Sequence, residues 1–227
     1  MMFLRLALAL LYPLLAYVAS SRADGAWAAV AMADLVLLLL LEPLLQRRFR
    51  ALLLLAACLL GLWWLSLSRH ALLPLLAPPV VFLGLVGWWF ARSLLPGRMP
   101  LISRIVEALY AQAGRPMTPE LWSYTRSLTA VWAGTLLLLA ALNLVLALCV
   151  VPDGILAHFG QRPPLAVSHS QWSWVANVLN YGIIGALFMV EYLLRKRLFP
   201  QRPYRNVLEF VQQMARLGPQ FWARLMR

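Results

Sequence analysis

One carboxylate, two asparagines and two tyrosines stand inside otherwise apolar stretches: Asp34, Asn143, Asn180, Tyr12 and Tyr181. Polar and ionisable groups in a membrane-length run are costly, so they are the first candidates for a substrate or proton path. The same groups also serve as interhelical hydrogen-bonding partners that only fix packing. Asp34 lies roughly 12 Å into its stretch at about 1.5 Å per residue. That is close to the middle of a hydrocarbon layer of about 30 Å.

A second layer is charged: Glu42, Arg92 and Glu191. It suits the polar end of an anionic amphiphile or a carrier-bound acyl chain. The alternative is structural ion pairing near the interface, where snorkelling makes charge cheap. Glu191 and Arg195 are spaced to share a helix face. Further basic residues flank the apolar runs: Arg98, Arg104, Arg126, Arg195, Lys196 and Arg197. Each is worth about 1 kcal/mol toward anionic lipid. They also suit an acidic soluble partner, of which acyl carrier protein is one kind.

Other chemistry has little to stand on. His70, His158 and His169 fall in loops, with only Asp153 near the latter two. Cys58 and Cys149 lie inside apolar runs without metal-ligand or redox spacing. No metal and no cofactor is expected. No Gly-Xaa-Ser-Xaa-Gly elbow, His-Glu-Xaa-Xaa-His helix, P-loop or dinucleotide fingerprint occurs. Catalytic residues therefore stay unassigned.

The elements that would position these groups follow from composition. Of 227 residues, 63% are hydrophobic and 12% charged, against about 45–50% and about 25% in soluble domains. A soluble chain of this size could not bury so much apolar surface. The expected class is all-α and polytopic, with six spans of about 20 residues each. They are expected near 3–20, 26–45, 51–67, 72–95, 130–151 and 172–194. Residues 1–200 then form the membrane domain, with a mixed segment at 96–129. Residues 201–227 form an amphipathic tail, in which Val207, Val211, Met214, Leu217, Phe221 and Leu225 recur at helical spacing, with Arg216 and Arg224 among them and Pro219 as an interruption. Ala19 to Ala23 resembles a cleavage site, but the favoured reading is a retained first helix. Pro78 and Pro79 are expected to kink or break the fourth span. Thr118-Pro119-Glu120 reads as a helix start that continues into the fifth. The long loop 152–171 carries no assigned role. No internal repeat supports an inverted-repeat transporter.

The net charge of +12 would suggest nucleic acid in a soluble protein. Here it is an orientation signal, and no nucleic-acid partner is expected. Six spans place seventeen of the twenty basic residues on one side; Arg22, Arg69 and Arg162 fall on the other. The positive-inside rule makes the richer side cytoplasmic, with both termini inside. Trp27, Trp63, Trp64, Trp172 and Trp174 then mark the outer boundary, and Trp88, Trp89 and Trp132 the inner one.

Several motifs point further. They are Leu95-Pro96-Gly97-Arg98-Met99-Pro100-Leu101-Ile102-Ser103-Arg104, Pro119-Glu120, and Tyr124-Thr125-Arg126 leading to Trp132-Ala133. Trp174 to Asn177, Tyr181, Glu191-Tyr192 and Arg195-Lys196-Arg197-Leu198-Phe199-Pro200 join them. Together they resemble a family of small proteobacterial membrane proteins found with aryl polyene and xanthomonadin-type pigment genes. Some members carry the label "ketosynthase", but no Cys-His-His arrangement supports that activity. The resemblance implies a multi-pass protein of the bacterial inner membrane that assists biosynthesis, membrane handover or export of an aryl polyene-type lipid. It implies membrane lipids as partners, along with an acyl carrier protein, acyltransferase or lipid exporter of the same pathway. It carries over no catalytic residue. A small transporter or flippase with a polar path near Asp34, a membrane-bound acyl or lipid transferase, and a non-catalytic scaffold remain open. Oligomeric state is not legible.

Overall fold

The computed structural model describes residues 2–22, 24–68, 70–152, 154–199, 207–218 and 221. The expectations placed on Ala23, Arg69, Asp153, Pro200, Pro219, Arg224 and Leu225, and on the side chains of Val207 and Val211, lie outside these residues. Ten α-helices occur among the described residues: α1 (Met2–Arg22), α2 (Gly25–Leu45), α3 (Phe49–Ser66), α4 (Ala77–Ser93), α5 (Leu101–Gln112), α6 (Pro119–Cys149), α7 (Ile155–His158), α8 (His169–Trp174), α9 (Asn180–Leu198) and α10 (Val207–Arg216). A two-residue parallel pairing joins β1 (Val150–Val151) to β2 (Val167–Ser168). Five stretches are long and apolar enough to cross a membrane: Gly25–Leu45, Phe49–Ser66, Leu73–Ser93, Pro119–Cys149 and His169–Leu198. Ala7–Arg22 is a shorter apolar helix. The protein is an all-α, multi-pass membrane protein, because only helices satisfy their own backbone groups in lipid when no closed barrel forms.

Local chemistry explains where the helices begin. Pro78 and Pro79 sit in the first turn of α4, where the missing N–H groups have no intrahelical partner to lose. They start the helix rather than kink it. A 3₁₀ turn over Leu73–Leu76 precedes it. The last long stretch opens at His169 instead of Trp172. Ser168 accepts from the Gln171 N–H at 3.2 Å, and Gln171 accepts from the Ser168 N–H at 2.9 Å, which is a capping box. Helix α6 runs unbroken from the predicted Thr118-Pro119-Glu120 start to Cys149, two residues short of the expected end of the fifth span.

The chain divides into two compact units, and α4, α6 and α9 contribute to both. The first comprises residues 1–82 and 140–184. In it α1 packs along α2, and α2 along α3. The Arg5–Glu42 ion pair at 2.8 Å joins the start of α1 to the end of α2, which run antiparallel, and the Asp24 N–H donates to the Ala19 carbonyl at 3.1 Å in the turn between them. Small side chains line this contact: Ala16, Ala19, Ala28 and Ala31 are buried. Small residues let membrane helices approach closely. The core is completed by Leu72, Leu75, Leu76, Ala147, Val150 and Trp172.

The second unit comprises residues 83–139 and 185–227. Here α4 meets α6 at Gly87, where an added Cβ would stand 3.0 Å from the Leu137 amide nitrogen. Trp132 packs against Phe188 and Phe90 at centroid distances of 4.5 and 6.3 Å. Within the mixed segment, α5 buries Leu101, Ser103, Val106 and Leu109. The described part of the tail, α10, reaches α5.

Candidate anion site

The best-built polar site lies in the second unit, around the turn from α4 to α5. Arg92 is in the last turn of α4, Arg98 in the connection, and Arg104 in α5. All three line one cavity of about 220 Å³ with Trp89, Ser93, Met99 and Leu101. Gly97, at φ +77°, supplies the left-handed residue that reverses the chain between the helices.

Hydroxyl groups hold this corner. The Leu101 N–H donates to Ser93 Oγ at 3.0 Å, and the Ile102 N–H donates to Thr129 Oγ1 at 3.3 Å. Two donors at the start of α5, which have no intrahelical partner, are thereby satisfied by side chains. Ser103 Oγ and Thr125 Oγ1 are 2.7 Å apart, and Thr129 Oγ1 donates to the Thr125 carbonyl at 2.7 Å. Ser103, Thr125 and Thr129 are all fully buried. Helix α5 is thus stapled to α6, and the arginines project from a fixed frame.

The cavity is strongly positive. Among the described residues no carboxylate lines it, and none pairs with Arg92, Arg98 or Arg104. Arg92 lies over the Trp88 ring, 5.2 Å from its centroid, which orients the guanidinium by cation–π attraction. Such a cavity can hold an anionic group by charge-assisted hydrogen bonds.

Several of the other expected charged residues have partners of their own. Glu42 pairs with Arg5 on an exposed surface. Glu191 pairs with Arg195 one turn on, and both side chains are nearly buried. Lys196 and Arg197 are exposed. Arg126 donates to the Leu94 carbonyl at 3.5 Å, near the end of α4. The charged layer therefore resolves into local pairs for Glu42 and Glu191, while Arg92 joins the arginine cavity.

In the first unit, Asp34 is 7% exposed and its Oδ2 has no hydrogen-bond partner among the described residues. Tyr12 is half-buried, and Tyr181 is exposed. Asn143 Nδ2 donates to Asn180 Oδ1 at 3.1 Å. The asparagines have a structural cause. Residues Val175–Leu179 form a π turn, in which the Asn180 N–H bonds to the Val175 carbonyl. Asn180 Nδ2 donates to the Ala176 carbonyl at 3.1 Å. Asn177 does the same for Ser173 at 3.0 Å. Asn143→Leu is expected to lower the thermal midpoint by an amount equivalent to about 1 kcal/mol. Melting of the purified protein in detergent checks this, and an unchanged midpoint would show that the bond adds nothing.

His158 meets His70 edge-on at a centroid distance of 4.2 Å. Among the described residues, no three metal-ligating side chains cluster. Cys58 and Cys149 carry free thiols.

Reading the sequence singled out Arg92, Arg98 and Arg104 but missed the frame that joins them. Ser93 and Thr129 were not marked, and Trp89 and Ser103 were noted only as a belt ring and as part of a motif. The signal was the i, i+4 spacing of Thr125 and Thr129, which is typical of hydroxyls that bond back to the helix backbone. No family model matches the chain, and neither a curated protein nor a solved structure does.

Proposed function

We propose that this chain is an accessory protein of the bacterial inner membrane that grips the anionic end of a lipid-like amphiphile. It serves the biosynthesis, handover or export of an aryl polyene-type lipid. The observation that carries this reading is the cavity lined by Arg92, Arg98 and Arg104 at the end of an apolar helix. Leu85 and Trp88 on α4, and Leu95 beyond it, are exposed and apolar, so the amphiphile's chain has a surface to lie along. The residues that carry the pigment-family resemblance, Leu95 to Arg104 and Tyr124 to Arg126, are largely those that build this corner. The positive-inside argument puts the cavity on the cytoplasmic side, where an acyl carrier protein or acyltransferase would deliver its product.

A chromosomal Arg92→Gln, Arg104→Gln double variant tests the reading. Bonds to charged groups are worth about 1.5–3 kcal/mol, so each lost arginine weakens binding by about tenfold or more. The expected result is a matching loss of pigment, with lipid intermediates accumulating while the protein stays in the membrane at its normal level. Full pigment yield from that variant would overturn the proposal.

A further inference from the structure

We infer that the arginine cavity selects a phosphate group over a carboxylate. This inference rests on the cavity being an anion site, as proposed above, and names the group it takes. Three guanidinium groups line the cavity, and among the described residues no acid joins them in its lining. A carboxylate brings one negative charge and two oxygens, so it leaves most of that charge uncompensated. A phosphate monoester brings about −1.5 to −2 and three strong acceptor oxygens. The planar fork of each arginine matches pairs of phosphate oxygens.

The frame reinforces the choice. The Leu101 and Ile102 N–H groups already have hydroxyl partners, so they add little to anion binding. Ser93 Oγ is engaged by the Leu101 N–H and donates to the Phe90 carbonyl at 2.7 Å. Recognition then falls to the arginines, which enter from three successive segments of one corner. The volume, about 220 Å³, lies below the roughly 300–1,000 Å³ of pockets that enclose a whole small molecule. It fits a headgroup phosphate with its ester link against Trp89 and Met99, with the rest of the molecule outside.

The test uses the full chain in phosphatidylcholine nanodiscs, with binding read by native mass spectrometry. The probes are phosphatidic acid, a fatty acid of equal chain length, and inorganic phosphate. Phosphatidic acid is expected to bind about tenfold tighter than the fatty acid. Arg92→Gln and Arg104→Gln should each erase that preference, and the exposed Arg162→Gln, outside the cavity, should keep it. Arg92→Lys retains charge without the fork and should keep part of it. It stands in if the glutamine variant does not fold. Equal affinity for the two lipids, still dependent on the arginines, overturns phosphate selection and leaves the anion site standing. Affinities indifferent to the arginines overturn both. Weak binding of inorganic phosphate beside tight phosphatidic acid identifies the source as a lipid headgroup. Equally tight binding identifies a soluble phosphate, and either result supports the phosphate itself.

Discussion

Trp172→Ala is expected to destabilise the first unit by about 3–5 kcal/mol. Trp172 is the largest fully buried side chain among the described residues, at 1% exposure. It sits on α8, which packs against α1. The cluster around it includes Ala16, Ala19, Ala28 and Ala31, side chains too short to collapse into the space an indole leaves. The cost of such a cavity grows with the volume that stays empty. The indole contributes shape more than hydrogen bonding, because Nε1 has no partner among the described residues. Trp172→Phe keeps most of the ring and removes a buried unsatisfied donor, so its cost should stay near or below about 1.5 kcal/mol. Thermal denaturation of both variants in one detergent separates the effects. A Trp172→Ala protein that melts with the wild type would show that this cluster is loosely packed.

Trp172 also marks a limit of what the sequence makes legible. Hydropathy and the positive-inside rule placed it in an interfacial belt with Trp27, Trp63, Trp64 and Trp174. Those four are exposed, as belt residues are, and Trp172 is core. Depth along a helix can be counted from sequence, but which way a ring faces cannot. The membrane-crossing helices were legible because lipid permits few backbone solutions. Their starts were less so. Pro78 and Pro79 read as breakers until the first turn of α4 showed that their missing donors are not needed there. The Ser168–Gln171 capping box was present in the letters, while the π turn that engages Asn177 and Asn180 was not. At the candidate site, arginine chemistry was visible and its assembly was not. Glu42 meets Arg5, thirty-seven positions away, only because α1 and α2 pack in one register. The arginine corner depends on Ser93, Ser103, Thr125 and Thr129, small hydroxyls that carry no charge to single them out.

Removing the Glu191 carboxylate decides between two roles for that residue. In the second unit Glu191 and Arg195 are an i, i+4 pair on α9, with side-chain exposures of 13% and 10%. A solvent-exposed pair at this spacing is worth only about 0.3–0.5 kcal/mol. A buried pair behaves differently. Deleting one partner leaves the other charge desolvated and costs about 3–5 kcal/mol, while replacing both with apolar groups of similar volume is close to neutral. Glu191→Ala is therefore expected to destabilise strongly, and Glu191→Leu with Arg195→Met to recover most of the loss. Glu191→Leu, Arg195→Met and the double variant, melted in one detergent, close the cycle that gives the coupling. A large coupling fixes Glu191 as a structural partner of Arg195 and leaves anion recognition to Arg92, Arg98 and Arg104. A cost for Glu191→Ala below about 0.5 kcal/mol would mean a solvated pair. Glu191 would then return to the charged groups open to a ligand, and its carboxylate would oppose an anion at that surface.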